Sequence, residues 1–405
     1  MGNNPKSTLL KLLEYCRVND WAGYDPYDAL NSRLLLSSQL SNSRVARLAL
    51  TQALKRSPIN IRGLLLVPKT QNPKGIALFL SALLKVSEVC PDEAGNSIDS
   101  LVQSLIMLRS PDSAYWCWGY SFPWQTRSIV VPRGAPNLVC TTFVAEALLD
   151  IYEQRHELEY LGMAVSAAEY ILNELYWTEG RGIAGFSYPQ PSVRSQIHNA
   201  NFLAAALFCR VYKLTGEEKF LGPALLAARY SSSKQRSDGS WAYGEGPSQQ
   251  WIDNFHTGYN LCALQSISRD AGTTEFESHM EKGFEFYRTA FLREDGAPRY
   301  FHNRTYPIDV HCVAQSIITL LAFRHLDADC IQLAHSTFKW AMDNMWDDRG
   351  FFYYRVLRFG KIRTSYMRWS QAWMLRALSE VVQASGIAGA SSPAIANEED
   401  LVTAC

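Results

Sequence analysis

Residues 253–260 read Asp-Asn-Phe-His-Thr-Gly-Tyr-Asn and run directly into the apolar stretch Leu-Cys-Ala-Leu at residues 261–264. A polar start followed by apolar residues predicts a helix whose first turn carries the acid/base side chains Asp253 and His256. The same arrangement of a polar start before an apolar helix recurs along the chain. The fold prediction follows from that recurrence, because this stretch is one member of a regular series.

Six such helices can be aligned on one central position. The aligned residues are Phe79, Phe143, Phe202, Tyr259, Gln315 and Trp373, at intervals of 56–64 residues. An internal period indicates a repeat architecture. Between these helices lie amphipathic stretches, near residues 98–109, 159–175, 217–231, 274–292 and 330–345, that predict an outer set. With residues 43–55 as the first outer helix, the pattern predicts an all-α (α/α)6 toroid of six inner and six outer helices.

The loops of this predicted ring differ in length between its two ends. Each inner helix is followed by a short link and preceded by a long one, at residues 110–138, 176–197, 234–252, 293–308 and 346–366. All the long loops must therefore open at the end where the inner helices begin. Four of them contain a turn glycine, Gly180, Gly239, Gly296 or Gly350, where we expect a positive φ. Long loops on a rigid scaffold commonly carry function.

The composition sets limits on the class of protein. The chain has 405 residues, of which 47% are hydrophobic, so a large core is expected. Lys plus Arg and Asp plus Glu number 39 each, which argues against nucleic acid as the main partner. We expect three regions: an N-terminal helical arm at residues 1–43, the toroid at residues 44–385 and a disordered polar tail at residues 386–405.

The cellular location is inferred from three features. No apolar run is long enough to span a bilayer. The first residues lack the apolar core of a signal peptide. The nine cysteines are scattered without a pairing framework, which is typical of a reducing compartment. We therefore expect a cytoplasmic protein without a membrane span, and the residues leave its oligomeric state open.

A double ring of α-hairpins with six inner helices resembles the six-hairpin toroid superfamily. That superfamily includes glycoside hydrolases, sugar epimerases, uronyl C5-epimerases and the helical domains of polysaccharide lyases. Residues 366–374, Tyr-Met-Arg-Trp-Ser-Gln-Ala-Trp-Met, are also similar to a segment of uncharacterised proteins of bacterial surface-polysaccharide gene clusters. The resemblance implies a carbohydrate-active enzyme of polysaccharide metabolism that needs no cofactor.

A second resemblance points to isoprenoid chemistry. Residues 237–241, Ser-Asp-Gly-Ser-Trp, resemble the Gln-Trp turn of terpenoid cyclases and protein prenyltransferases, which share the toroid. A cyclase would need an acidic cluster such as Asp-x-Asp-Asp, and the sequence contains none. A prenyltransferase would need a zinc triad, and Asp253, Cys262 and His311 do not have the expected arrangement. An isoprenoid cyclase or prenyltransferase remains the alternative enzyme class.

The candidate site residues are those that the helix starts and long loops deliver to the long-loop end. The predicted catalytic residues are Asp253, His256, Tyr259, Asp309 and His311. The predicted substrate-binding residues are His198, Asn199, Trp241, Tyr243, Glu245, Tyr366 and Arg368. Histidine has a pKa near the working pH, aromatic rings stack on sugar faces, and arginine binds a carboxylate through two hydrogen bonds. Helix N-termini add a positive field that favours an anion.

These residues are compatible with more than one mechanism. Proton abstraction beside a uronate carboxylate would give epimerisation or elimination, whereas hydrolysis would need two carboxylates that flank the bond, such as Asp253 and Asp309. Asp253 and Asp309 are equally suited to be helix N-caps. The chain lacks metal-binding spacings such as His-x-His, so we predict no metal site. A non-catalytic polysaccharide-binding or assembly protein is the alternative outside enzymes.

Overall fold

The computed structural model of the protein describes residues 4–126 and 129–390. Within that part of the chain, six helices form a closed inner ring in which each contacts the next and the last contacts the first. They are α4 (Pro73–Val89), α6 (Leu138–Arg155), α8 (His198–Thr215), α10 (Asn254–Ala271), α12 (Val310–Ala322) and α14 (Trp373–Ala390). A π-helical turn, Met367–Ala372, leads into α14. The (α/α)6 toroid predicted from the repeat is confirmed.

The outer ring packs on the inner one through amphipathic faces. Five outer helices each follow the inner helix that they cover: α5 (Pro91–Met107), α7 (Leu158–Tyr170), α9 (Glu218–Ser232), α11 (Glu277–Phe291) and α13 (Cys330–Met345). The sixth is α1 (Pro5–Val18), whose buried face of Leu9, Leu12, Leu13 and Cys16 packs against α14. The first segment of the chain therefore closes the ring beside the last inner helix.

The prediction that residues 43–55 form an outer helix is wrong. These residues belong to α3 (Arg44–Arg56), which packs on the turns Asp28–Asn31 and Gln39–Asn42 and on strand β1 (Trp124–Gln125). The short helix α2 (Arg33–Leu36) lies beside them. The physical reason is that α1 already covers the gap next to α14. Residues 19–72 are thereby left to form a layer at the long-loop end of the ring.

Side-chain caps fix where most inner helices begin. Asn72, Asn137, Asp253 and Asp309 accept hydrogen bonds from the backbone N–H groups of Lys74, Cys140, His256 and His311. Each bond satisfies one of the amides that a helix start leaves without a partner. Left-handed residues His156, Gly216 and Gly272 end α6, α8 and α10 and turn the chain into the short links.

The long loops form small sheets over the end of the ring where the inner helices begin. β1 pairs with β2 (Val130–Val131), β3 (Tyr176–Glu179) with β4 (Ile183–Phe186), and β6 (Trp346–Asp347) with β7 (Phe351–Phe352). A three-stranded antiparallel sheet has the order β5 (Ile308–Asp309), β8 (Arg355–Leu357), β9 (Gly360–Ile362). The predicted separation of long loops and short links to opposite ends is thus observed.

The turn glycines behave as predicted in three of the four loops. Gly239, Gly296 and Gly350 have φ values of 88°, 84° and 91°. In the remaining loop the positive φ is at Arg181 and Gly182, so the prediction for Gly180 is wrong. The hairpin between β3 and β4 turns after Gly180 and places the left-handed backbone one and two residues later.

Two further observations concern the C-terminal end of the toroid and the possibility of a membrane-spanning helix. Helix α14 continues to Ala390, so the predicted tail boundary at residue 386 falls inside a helix, and residues 391–405 lie outside the described residues. Among the described helices, none combines the length and the apolarity needed to cross a bilayer.

Candidate functional site

Three aromatic side chains stand across the centre of the inner ring. The rings of Tyr259 and Trp373 are stacked with their centroids 5.4 Å apart, and Phe143 packs edge-on against both, at 6.0 and 5.5 Å. They come from α10, α14 and α6, and we call them the septum. The septum separates the long-loop end of the ring interior from the short-link end.

Lys74, in the first turn of α4, lies on the septum. Its Nζ is 4.0 Å from the Phe143 ring centroid, 5.4 Å from that of Trp373 and 5.5 Å from that of Tyr259. The residue is only 4% exposed, and no carboxylate within the described ranges bonds to its Nζ. Burial, and then the nearby positive charge of Arg368, hold the pKa of Lys74 well below its ordinary value. Lys74 is not among the site residues predicted from the sequence; its available signal is a lysine at the capped start of an apolar helix.

Asp253 binds His256 through one carboxylate oxygen and caps α10 with the other. Its Oδ1 accepts from the His256 backbone N–H at 3.0 Å, and its Oδ2 is 2.7 Å from His256 Nδ1. Oδ2 also accepts from Trp251 Nε1 at 2.9 Å. Asp253 is buried, whereas the His256 side chain is 22% exposed. The carboxylate thus holds Nδ1 as a donor, which makes Nε2 the ring nitrogen that can act as an acceptor.

A second pair, Tyr259 and His311, lies directly beside the first. Tyr259 Oη is 2.5 Å from His311 Nε2. Burial and the charges of Lys74 and Arg368 lower the pKa of His311 well below its ordinary value, so its imidazole is neutral. Burial raises the pKa of Tyr259 well above its ordinary value. The phenol therefore donates to Nε2, and Nδ1 carries a hydrogen for which the described residues offer no acceptor.

Tyrosines from several loops surround these two pairs. Tyr27, Tyr120, Tyr188, Tyr243 and Tyr300 are all half-buried. The Tyr243 ring stacks on Trp251 at 4.4 Å and lies 4.6 Å from the His256 ring. Burial raises the pKa of Tyr188 to about 12 and raises the pKa of Tyr120 and of Tyr300 well above the usual value. Tyr120, Tyr188 and Tyr300 therefore keep their protons although their side chains remain partly exposed.

We call the region around His256, Lys74 and these five tyrosines the upper cleft. Its floor is the septum, and the Asp253–His256 and Tyr259–His311 pairs lie along one side. Four of the five predicted catalytic residues are therefore brought together: Asp253, His256, Tyr259 and His311. Of the predicted substrate-binding residues, Tyr243 lies with them.

The fifth predicted catalytic residue, Asp309, lies in a closed network. It is fully buried, and Oδ2 accepts from Arg355 Nε at 2.6 Å. Oδ1 accepts from Trp369 Nε1 at 2.9 Å and from the His311 backbone N–H at 3.0 Å. With both oxygens engaged, Asp309 anchors the start of α12 to β8. The capping interpretation describes its geometry.

Two predicted substrate-binding residues, Arg368 and Tyr366, are also held inside the protein. Arg368 makes a bidentate ion pair with Asp25, with N–O distances of 2.7 and 2.9 Å, and both side chains are about 5% exposed. Tyr366 is buried under the guanidinium of Arg62, whose Cζ lies 4.8 Å from the phenol ring centroid. These contacts tie the N-terminal segment to the start of the sixth inner helix.

The remaining predicted residues lie around α8 and α9. Trp241 is buried and donates from Nε1 to the Ser231 carbonyl at 3.0 Å, and His198 Nδ1 is 3.3 Å from Ser231 Oγ. Asn199 is buried. Glu245 is exposed and accepts from Tyr230 Oη at 2.8 Å. Trp241 and His198 therefore pack the interface between α8 and α9. Their side-chain hydrogen bonds are with Ser231 and not with the Asp253–His256 or Tyr259–His311 pair.

Acid should destabilise the protein through His198. Burial lowers the pKa of His198 from 6.5 to about 4; the charge of Lys234 adds a smaller lowering effect, and only that of Glu245 acts in the opposite direction. A depressed folded-state pKa gives stability that is present above pH 6.5 and is lost as the pH falls towards 4. The lost contribution is about 3 kcal/mol at most. Urea unfolding at a series of pH values should show a shallower decline for His198→Gln than for the wild type.

The matched control for this measurement is His325→Gln, at an exposed histidine. This variant should retain the wild-type dependence of unfolding free energy on pH. An equal change of slope in both variants would contradict the assignment to His198.

The short-link end of the ring interior holds a separate cavity of about 680 Å³. The three side chains of the septum line this cavity together with residues from all six inner helices. Arg210 projects there and binds Glu146, Asp150 and Glu153 at 2.5, 2.8 and 2.6 Å. We call this cavity at the short-link end the lower cavity. Its charged side chains are largely engaged with one another, in contrast to Lys74 above the septum.

A search of the described residues finds no group of three or more His, Cys, Asp or Glu side chains placed to hold a metal ion. The upper cleft carries the imidazole of His256, the phenols of its tyrosines and the amine of Lys74. These groups can accept and donate protons and can hold an anion.

Structural comparison identifies several proteins with the same fold. A GH76 alpha-mannanase of Bacteroides thetaiotaomicron has a TM-score of 0.62 at 12% identity, over 79% of this chain and 88% of that one. A cellobiose 2-epimerase of Spirochaeta thermophila has a TM-score of 0.61 at 14% identity, over 78% and 87%. An unsaturated glucuronyl hydrolase variant, described with dGlcA-Glc-Rha-Glc, has a TM-score of 0.62 at 14% identity, over 93% and 96%.

No protein-family profile and no curated protein sequence matches the chain. Identities this low carry the fold alone. The protein has the (α/α)6 toroid fold that glycosidases and sugar epimerases share.

Proposed function

We propose that this (α/α)6 toroid is a carbohydrate-processing enzyme that works by proton transfer, with His256 as its general base. The observation that carries the proposal is the 2.7 Å contact between His256 Nδ1 and Asp253 Oδ2, combined with the partial exposure of His256 towards the upper cleft. A carboxylate that holds Nδ1–H directs the lone pair of Nε2 at the substrate. The structural neighbours include sugar epimerases, which supports the substrate class.

Proton transfer fits the upper cleft better than two-carboxylate hydrolysis. A hydrolase needs one carboxyl group that can protonate the leaving oxygen and a second that can attack or activate water. Asp25 and Asp309 are each paired with a buried arginine, and Asp253 is engaged by its own helix, His256 and Trp251. His256 and Tyr259 instead offer an imidazole base and a phenol acid. They suit abstraction of a proton from carbon, which leads to epimerisation or elimination.

Tyr259 is the proposed acid partner of His256. The two rings lie 6.0 Å apart, one helical turn from each other on α10. Because Tyr259 keeps its proton, it can move this proton from the hydrogen bond with His311 to the substrate, where the proton is returned to the carbon that His256 has deprotonated or is donated to a leaving oxygen. The first outcome is epimerisation and the second is elimination.

Lys74 is the feature that favours a uronate over a neutral sugar. A proton on carbon is acidified when a carboxylate or carbonyl next to it can take up the negative charge, and a nearby cation stabilises that charge. Lys74 is buried without a carboxylate partner in the described part of the protein. An anionic substrate would supply the missing charge, so we expect its binding to be coupled to uptake of a proton by Lys74.

The test is incubation of the protein with uronate oligosaccharides, and separately with neutral ones, in deuterated water. Deuterium should appear at the carbon next to the carboxylate in an epimerised product, and ultraviolet absorption of a new double bond should appear after elimination. Absence of both signals for every uronate substrate, together with release of reducing ends, would replace this proposal with hydrolysis.

Replacement of Lys74 by methionine should weaken binding of the anionic substrate. The variant keeps the length and apolar stem that cover the septum but removes the charge. Loss of one charge-assisted hydrogen bond costs about 1.5–3 kcal/mol, which corresponds to a rise in KM of about 10- to 100-fold for a uronate substrate. KM and kcat should both be measured at several pH values, and the change in KM should be compared with the change in kcat.

The control for this variant is Lys85→Met, which removes a lysine of the same helix at the lower cavity, where it pairs with Glu380 at 3.1 Å. It should leave KM unchanged. If Lys74→Met raises KM for a neutral substrate as much as for the uronate, Lys74 acts by packing alone.

A further inference from the structure

One region of the chain combines basic charge with exposed aliphatic side chains. Between Asp28 and Glu88 the sequence contains nine lysines and arginines and no acidic residue. In a protein whose charges balance overall, this segment concentrates positive charge. Exposed basic side chains within it are Arg33, Arg44, Arg56 and Lys69.

The same region exposes aliphatic side chains that a folded protein usually buries. Leu64 is 79% exposed, Val45 77% and Ile59 70%. Leu34, Leu36, Leu40 and Leu66 are also exposed. Single exposed apolar residues need no explanation, but a cluster of them marks an interaction surface.

Hydrogen bonds join these pieces into one layer. Ser32 Oγ donates to the Leu65 carbonyl at 2.7 Å, which fixes α2 beside residues 63–67. Arg47 Nη1 donates to the Ser41 carbonyl at 2.7 Å and joins α3 to the preceding turn. Arg62 Nη1 donates to the Leu54 carbonyl at 3.4 Å and joins the end of α3 to the loop that carries Leu64. We call this layer, residues 33–69, the basic apolar face.

The basic apolar face adjoins the opening of the upper cleft. Lys55 Nζ donates to Tyr27 Oη at 2.6 Å, and Tyr27 is one of the tyrosines that define the cleft. The Tyr27 ring lies 5.5 Å from that of Trp369, in the π-helical turn that leads into α14. Whatever covers this face will therefore be next to the opening.

Charge and composition select among possible occupants. A second copy of the chain, related by a two-fold axis, would place this positive surface against itself, which like charges oppose. Protein interfaces are enriched in aromatic residues and methionine, yet none occurs between Tyr27 and Phe79. Leucine, isoleucine and valine beside lysine and arginine, with no acidic residue, match the chemistry of an anionic bilayer surface.

We propose that the basic apolar face docks the protein on an anionic lipid bilayer. The exposed aliphatic side chains enter the headgroup region, and the arginines and lysines bind lipid phosphates. The protein lies on the membrane without crossing it, and the opening of the upper cleft is held at the bilayer surface. A substrate that is itself attached to a lipid would then be presented directly to the cleft.

The test is co-sedimentation of the purified full-length protein with lipid vesicles. Vesicles of phosphatidylcholine mixed with phosphatidylglycerol should carry the protein into the pellet, and vesicles of phosphatidylcholine alone should carry much less. Binding to the mixed vesicles should weaken as salt is raised, because the charge contribution is screened. Equal binding to both vesicle types, or no binding to either, would overturn the proposal.

Two variants locate the contact. Replacing Arg33, Arg56 and Lys69 together with glutamine should weaken binding by about fivefold for each charge removed. The double variant Val45→Ser with Leu64→Ser should also weaken it, since each residue is mostly exposed and its replacement leaves the core intact. Leu158→Ser, at an equally exposed leucine that starts α7, is the control and should bind as the wild type does.

If both variants bind vesicles as tightly as the wild type does, the basic apolar face is not the surface that contacts the lipid, and the proposal is overturned. Gel filtration in the absence of lipid supplies the remaining outcome. A dimer that these same variants convert to a monomer would identify a second copy of the chain as the occupant and would also overturn the proposal.

Discussion

Replacing His256 with alanine should lower kcat/KM by about 100- to 10,000-fold, the usual contribution of a positioned general base. The thermal midpoint should change little, because the side chain is partly exposed and Asp253 Oδ2 keeps its hydrogen bond from Trp251 Nε1. The measurement is steady-state kinetics on a substrate that undergoes deuterium exchange, together with thermal unfolding of the same preparation.

The companion variants separate the chemical role of His256 from its place in the fold. Asp253→Asn can still cap α10 but can no longer fix the Nδ1–H tautomer, so it should lower kcat more than it raises KM. His302→Ala changes another half-buried histidine and should retain activity. Full activity in His256→Ala, with a large loss of stability, would identify His256 as a structural residue.

The second large effect is expected on stability. Replacing Arg368 with methionine should lower the free energy of unfolding by about 3–5 kcal/mol, because it leaves the Asp25 carboxylate buried without its partner. Asp25 and Arg368 are joined by two hydrogen bonds and are almost inaccessible to solvent. Urea unfolding monitored by tryptophan fluorescence would give the value.

A double variant tests the reason for that loss. Asp25→Asn combined with Arg368→Met removes both buried charges and should recover a large part of the stability that either single variant loses. Additive losses would show that the two side chains stabilise the protein through separate contacts. Thermal unfolding with and without a uronate substrate would show in addition whether Arg368 contributes to binding.

The ring itself could be predicted from the sequence because it depends on local patterns. Helix starts, apolar spacing and the contrast between long and short connections are all encoded within a few tens of residues. The identity of the sixth outer helix could not be predicted in this way. Both α1 and α3 are amphipathic, and only the packing of Leu12 and Leu13 against α14 distinguishes them.

The candidate site shows the same division. Asp253, His256 and Tyr259 follow one another on one helix, so their proximity follows from helical geometry. The roles of Asp309 and Arg368 depend on Arg355 and Asp25, which are 46 and 343 residues away in the chain. The sequence places both residues at the long-loop end of the ring, but it does not reveal partners that lie so far away in the chain.

Lys74 is the opposite case, a residue of the candidate site that was not predicted from the sequence. It was missed because it stands among apolar residues of α4, and a lysine near a helix start is usually solvated. Its importance comes from Phe143, Tyr259 and Trp373, which converge on it from three other positions of the ring. A long-range aromatic arrangement of this kind has no local signature.

The packing of α1 against α14 has a consequence for the synthesis of the protein. Roughly 350 residues separate the two helices, and ribosomes add about 5–20 residues per second, so the partner of α1 emerges some tens of seconds after it. During that interval Leu9, Leu12, Leu13 and Cys16 are without the surface that buries them in the finished ring. The nascent chain must therefore be protected from aggregation until α14 is released, and we expect co-expressed chaperones to raise the yield of folded protein.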